Sequence, residues 1–153
     1  MSLMDTHHHA VVETAEPNLG HGMQRALGGY AHSFNARHGR EGHLFHGPFW
    51  SRRLYGDGHF LTACLYAVLN PVAAGICAHP REWPWCSYRE IAAGRGSERL
   101  MGLLGDDASE ALATYVDVVD EAACAIRERR AADARELLSL AREAVRGELQ
   151  GSG

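Results

Sequence analysis

The stretch DGHFLTACLYAVLNPVAAG, residues 57–75, carries the apolar spacing of a helix. Asp57 can open this helix, and its apolar face consists of Phe60, Leu61, Cys64, Leu65 and Val68. The helix is expected to bend or end at Asn70-Pro71, because the residue before a proline is pushed away from helical angles. Tyr66 lies four residues before Asn70, so the two side chains share one helical face.

The segments before this helix are predicted to contain two strands and another helix. Residues 9–14 (HAVVET) are short, apolar and partly β-branched, and indicate a strand. Asn18 can cap a helix whose apolar positions are Leu19, Met23, Leu27, Tyr30 and Phe34. Residues 37–48 form a glycine-punctuated loop, followed by a short strand over roughly residues 49–55. Met1-Ser2-Leu3 resembles a remnant of cloning and is left outside the predicted fold.

The segments after it are predicted to be irregular and then helical. Residues 80–88, rich in Trp and Pro, indicate an irregular packed arm. A boundary is expected near the glycines of residues 94–97, which gives a core over residues 4–95 and an acidic helical extension over residues 96–153. Within that extension, the helices are predicted at 100–104, 107–130 and 134–149.

Composition places the chain among ordinary globular proteins. It has 153 residues, of which 46% are hydrophobic and 22% charged, and no apolar run approaches the roughly 20 residues of a membrane span. The four cysteines contain no CxxC pair, which argues against a structural zinc site and a disulfide framework. We therefore expect a cytoplasmic protein with reduced thiols and no membrane partner.

The charge is unevenly distributed along the chain. The net charge is −4, yet residues 25–53 contain five arginines and a single acid, Glu41. Such a stretch can form a phosphate-binding face, or it can be a chance cluster on a solvated surface.

His7 and His9 stand two residues apart at the start of the first predicted strand. Strand side chains alternate between faces, so both imidazoles point to one side and can hold a divalent cation. The competing interpretation is a tag residue or a disordered tail. Tyr66 is alternatively a half-buried core residue. If its helical face meets this strand, Asn70 offers a third ligand and Tyr66 a phenol oxygen beside the metal.

Two motifs resemble the single-tyrosine HUH transposases, in particular the REP-associated tyrosine transposases. HHHAVVET, residues 7–14, is similar to the family's His-x-His strand, and YAVLNPVAAG, residues 66–75, is similar to its Tyr-x-x-x-Asn-Pro-Val-x-Ala-Gly motif. The resemblance covers about residues 4–92 in unbroken order. It implies an α+β fold, a ferredoxin-like antiparallel sheet with helices, from which the first strand and helix are missing here. The gap is expected to cause dimerisation or to be filled by the helices of residues 96–153.

The resemblance also implies a metal-dependent endonuclease and strand transferase that acts on single-stranded DNA beside a hairpin. His7, His9 and Asn70 would bind Mg²⁺ or Mn²⁺, and Tyr66 would be the nucleophile that forms a 5′-phosphotyrosine link. Candidate phosphate contacts are Arg25, Arg37, Arg40, Arg52 and Arg53. Candidate rings for stacking on unpaired bases are Phe45, Phe49 and Trp50. The expected assembly is a monomer or a homodimer.

Two other functions stay open at this point. The chain could be a catalytically decayed descendant that binds DNA hairpins without cutting them. It could also be a metal-assisted phosphodiesterase that uses water, in which case Tyr66 would be dispensable.

Overall fold

The computed structural model describes the backbone of residues 1–150 and the side chains of residues 1–136. Two short strands come first, β1 (Ser2–Leu3) and β2 (His8–His9), followed by the helices α1 (Leu19–His38) and α2 (Gly56–Ala73). A 3₁₀ turn (Pro80–Glu82), the single turn α3 (Tyr88–Glu90) and a π-helical segment (Ile91–Arg95) connect α2 to the last two helices. These are α4 (Glu98–Gly102) and α5 (Ala108–Gln150).

The chain divides into two compact units, Met1–Val11 with Gly56–Gly153, and Val12–Tyr55. The core of the first unit lies where α2 packs against α5. α5 supplies buried residues at every fourth position, and α2 supplies a matching apolar face; the two sets are Ala111, Tyr115, Val119 and Ala123, and Phe60, Ala67, Val68 and Val72. Burying a valine-sized side chain contributes about 1.5–3 kcal/mol, so this interface accounts for much of the unit's stability.

β1 and β2 form an antiparallel pair in which Ser2 faces His9 and Leu3 faces His8. The pair is anchored to the arm after α2, because the Leu3 amide donates to the Trp85 carbonyl at 2.9 Å and Trp83 Nε1 donates to the Leu3 carbonyl at 2.7 Å. Ser2 is fully buried. The expectation that Met1, Ser2 and Leu3 stand outside the fold is therefore wrong.

The expected ferredoxin-like sheet is also wrong. The protein is mostly helical, at 61% helix, and its sheet has only the two strands β1 and β2 among the described residues. A strand forms only where a neighbouring strand satisfies its backbone hydrogen-bonding groups. β1 pairs with β2 over two residues, so β2 is only two residues long. Residues 10–14 and 49–55, both predicted as strands, are irregular. Without a wide sheet to cover, α2 buries its apolar face against α5 instead.

The predicted helices are largely confirmed, with different ends. α2 continues through Pro71, which is buried inside the helix, and ends at Ala73. α5 runs without the predicted break between residues 130 and 134. Along the part of the chain that the structure describes, no helix is long and apolar enough to cross a membrane. The division into residues 4–95 and 96–153 stays a prediction, and its last residues, 151–153, lie outside the described part.

The second unit, Val12–Tyr55, is built around α1. Asn18 occupies the predicted N-cap position, although its side chain hydrogen-bonds Glu16 and does not cap the helix. Gly39 ends the helix in the left-handed conformation at φ 60°, which a glycine adopts at no steric cost. Every side chain of residues 12–55 is described, and none of them is buried.

Candidate metal and tyrosine site

The two histidines of the His-x-His motif point to the same side, as the strand alternation predicts. Their Nε2 atoms lie 3.1 Å apart. The Thr6 hydroxyl and His7 Nδ1 share a hydrogen bond of 3.2 Å, which orients the ring so that Nε2 faces His9. Sequence reasoning missed this role of Thr6, and its only signal was a hydroxyl residue directly before the motif.

α2 presents Tyr66 and Asn70 to the same histidines. The His9 and Tyr66 rings meet edge to face with centroids 5.2 Å apart, and Asn70 lies close enough to His9 to raise the pKa of its ring. Tyr66 is 58% exposed, so its phenol is open to a substrate. The structure thus brings together all four residues that the sequence proposed as metal ligands and nucleophile: His7, His9, Tyr66 and Asn70.

The electrostatics of this cluster favour the neutral form of the His9 imidazole. Partial burial lowers the pKa of His9, the neighbouring His7 and His8 lower it further, and Asn70 acts in the opposite direction. One of the two Nε2 atoms donates to the other at 3.1 Å, so both cannot carry a proton at this point. A neutral ring keeps the nitrogen lone pair that a metal ligand needs.

The donor set fits a divalent cation. Two nitrogens each about 2.1 Å from one cation, at right angles to each other, are about 3.0 Å apart. The observed separation of 3.1 Å between the His7 and His9 Nε2 atoms is close to that value. Among the described side chains, no group of three His, Cys, Asp or Glu could hold a metal ion. The Asn70 amide oxygen would be the third ligand, and the two imidazoles suit Mn²⁺ better than Mg²⁺, which prefers oxygen ligands.

The five candidate phosphate-binding arginines belong to the other unit, Val12–Tyr55, and all are exposed. Two of them contact aromatic rings: Arg40 Cζ lies 5.9 Å from the centroid of Phe34, and Arg53 Cζ lies 5.6 Å from that of Tyr55. Arg25 lies on α1, and Arg52 lies in the irregular segment before α2. Phe45 and Trp50 are exposed, and Phe49 is half-buried.

Sequence reasoning treated Tyr30 and Phe34 only as apolar positions of α1. In the structure they belong to a row of exposed and half-buried rings that continues to His38. The four-residue spacing of these three residues was the signal that could have revealed the row.

No protein-family model, curated protein or solved structure matches the chain.

Proposed function

We propose that the protein is a single-stranded DNA endonuclease and strand transferase with Tyr66 as its nucleophile. The observation that carries the proposal is the convergence of Tyr66, His7, His9 and Asn70 from two separate elements. The resemblance of residues 7–14 and 66–75 to single-tyrosine HUH transposases supports the same chemistry.

The phenol oxygen of Tyr66 attacks the phosphorus of a DNA phosphodiester and loses its proton to solvent. The bond from phosphorus to the 3′ oxygen breaks, and that oxygen takes up a proton from solvent, which leaves a 5′-phosphotyrosine and releases a 3′-hydroxyl. A later attack by a 3′-hydroxyl on this phosphotyrosine reverses the step and rejoins a strand without further energy input. The exposure of Tyr66 is what lets a polymer backbone reach it.

His7, His9 and Asn70 would hold Mg²⁺ or Mn²⁺ beside the tyrosine. The cation would supply Lewis-acid stabilisation of the negative charge that develops on the phosphate. The chain's own part is to orient the ligands: Thr6 fixes the His7 ring, and β1 pairs with the strand that carries His9. The partial burial of His9 lowers its pKa and so favours the neutral ring that a metal ligand needs.

A second function, DNA-hairpin binding without cleavage, is favoured by one observation. The unit Val12–Tyr55 carries the arginines and exposed aromatic rings of a nucleic-acid surface, and none of these residues depends on Tyr66 chemistry. Binding could therefore persist in a chain that no longer cuts.

The test is a denaturing gel on single-stranded hairpin DNA, drawn from the repeats that flank the gene, with Mn²⁺ present. We expect a covalent protein–DNA band that Tyr66→Phe and His7→Ala both abolish. Tyr55→Phe is the control, since Tyr55 is also an exposed tyrosine, at 70% against 58% for Tyr66, and it should leave the band intact.

Each alternative gives a different result in the same assay. Cleavage that survives Tyr66→Phe identifies a phosphodiesterase that uses water. Tight hairpin binding without any covalent band identifies a binding protein. Either result refutes the tyrosine mechanism.

A further inference from the structure

α1 carries a continuous row of aromatic side chains. Tyr30 and Phe34 have ring centroids 5.9 Å apart, and Phe34 and His38 have centroids 4.3 Å apart. Phe45, from the loop after the helix, adds a fourth ring at 6.3 Å from Tyr30. We call these four residues the ring face.

Three rings of the ring face, Tyr30, His38 and Phe45, are exposed, and Phe34 is half-buried. Tyr30 is 57% exposed and Phe45 is 37% exposed. Asn35 Nδ2 donates to the Gly42 carbonyl at 2.9 Å, which ties the loop that carries Phe45 back to the helix. Aromatic side chains held in place before binding lose little conformational freedom when a ligand arrives.

The charges beside the ring face are positive. Arg40 lies over the Phe34 ring, and Arg37 lies about two turns after Tyr30, on the same side of the helix. The only acid in residues 25–53 is Glu41. A second copy of this chain docking here about a twofold axis would place arginine against arginine, which is unfavourable. A ligand that combines flat rings with negative charge is complementary, and unpaired nucleotides have both properties.

We propose that the ring face binds single-stranded DNA, with its rings stacked on unpaired bases and with Arg37 and Arg40 on phosphates. The choice of DNA rests on the proposed function. Duplex DNA is excluded as the preferred ligand because its base faces are already stacked on one another. Proteins that bind single strands combine aromatic platforms with a basic groove in this way.

The experiment is fluorescence anisotropy of a labelled oligothymidylate with the full chain in EDTA, titrated at several salt concentrations. Tyr30→Ala and Phe34→Leu should each weaken binding by about tenfold, since each removes one stacking surface. Phe34→Leu keeps an apolar side chain on the helix, so it guards against an effect of misfolding. Neither variant should change the salt dependence.

The arginines should behave differently from the rings. Arg37→Ala and Arg40→Ala should each reduce the slope of log affinity against log salt by about 0.7, the value of one single-strand phosphate contact. The matched controls lie in the other unit: Trp85→Ala removes a 60% exposed ring, and Arg129→Ala removes an exposed arginine. Both controls should bind like the unchanged protein.

The outcomes separate this proposal from the tyrosine mechanism. Unchanged affinity in Tyr30→Ala and Phe34→Leu overturns it, as does equal or tighter binding of the matching duplex. A change of oligomeric state in the ring variants, with DNA binding unaffected, would instead identify an interface between copies and also overturns it. Because the assay contains no free metal ion, it reports on the ring face even if no covalent band ever forms. Conversely, a covalent band together with unchanged binding in the ring variants refutes the ring face alone.

Discussion

Removing one hydroxyl group tests the packing between α2 and α5. Tyr115 is 1% exposed, and its ring stacks on Tyr88 with centroids 5.8 Å apart. Among the described side chains, its Oη is the buried polar atom without a hydrogen-bond partner. A buried group left unsatisfied costs about 1–3 kcal/mol, whereas Tyr115→Phe keeps every ring contact. We expect the substitution to raise the free energy of unfolding by about 1 kcal/mol.

The assay is urea unfolding at pH 7, followed by tryptophan fluorescence. A gain of about 1 kcal/mol should also raise the melting temperature by about 2–4 °C in a chain of this size. Tyr88→Phe is the control, because the Tyr88 hydroxyl lies in the field of Asp120 and Arg81 and is not an unsatisfied buried group. Its removal should be neutral or slightly destabilising.

The stability that Tyr115→Phe adds should be larger at alkaline pH. Burial raises the pKa of Tyr115 above its ordinary value of 10.0, and the nearby Cys86 and Tyr88 raise it further. Above about pH 10 the unfolded chain releases this phenol proton while the folded chain retains it, so stability falls as pH rises. The Tyr115→Phe variant has no phenol at this position, so it does not lose stability in this way. A decrease of more than about 1 kcal/mol at pH 7 would refute the reasoning, because it would mean that the hydroxyl is satisfied.

Three further predictions concern the metal ligands, a side-chain network and a glycine. Mn²⁺ at about 100 times its dissociation constant should stabilise the protein by about 2.7 kcal/mol, or about 5–10 °C in a thermal melt against EDTA; an equal shift in His7→Ala would contradict the ligand assignment. Asp120 accepts from His79 at 2.6 Å and from Arg81 at 3.0 Å, but its side chain is 44% exposed. Asp120→Ala should therefore lower the free energy of unfolding by only about 1–2 kcal/mol, and Asp120→Asn by less, as measured by urea titration. Gly75 has a φ of 75°, and a Cβ there would collide with the Arg130 guanidinium. Gly75→Ala should cost about 1–2 kcal/mol in the same titration, and a neutral result would show that both the backbone and Arg130 adjust freely.

The helices were predictable because their signals are local. The apolar positions of α1 and α2 repeat every three or four residues, and this spacing alone predicts a helix. The ends were less predictable: α2 was expected to bend or end at Asn70-Pro71, yet Pro71 is buried inside the helix, which continues to Ala73. Tertiary packing outweighs the local preference of a residue at such a position.

The strands failed for the opposite reason. A strand depends on a partner that local sequence does not reveal, so the β-branched run at residues 9–14 indicated a strand that the structure extends only over His8–His9. Residues 49–55 likewise have no partner in the described sheet. The resemblance to a family with a ferredoxin-like sheet led to the same error. A sequence motif gives the order of residues along the chain, but it does not determine how many residues of two strands pair.

The candidate site combines local features that the sequence predicts with a tertiary contact that it does not. The shared face of His7 and His9 and the shared face of Tyr66 and Asn70 each follow from spacing alone. Their meeting depends on β1, which pairs with the histidine strand and packs against α2. β1 consists of Ser2 and Leu3, which the sequence places outside the predicted fold because they resemble a remnant of cloning. The geometry of the site thus depends on a segment that carries no recognisable motif. The motifs therefore indicated the candidate ligands and the candidate nucleophile, but not the strand that positions them.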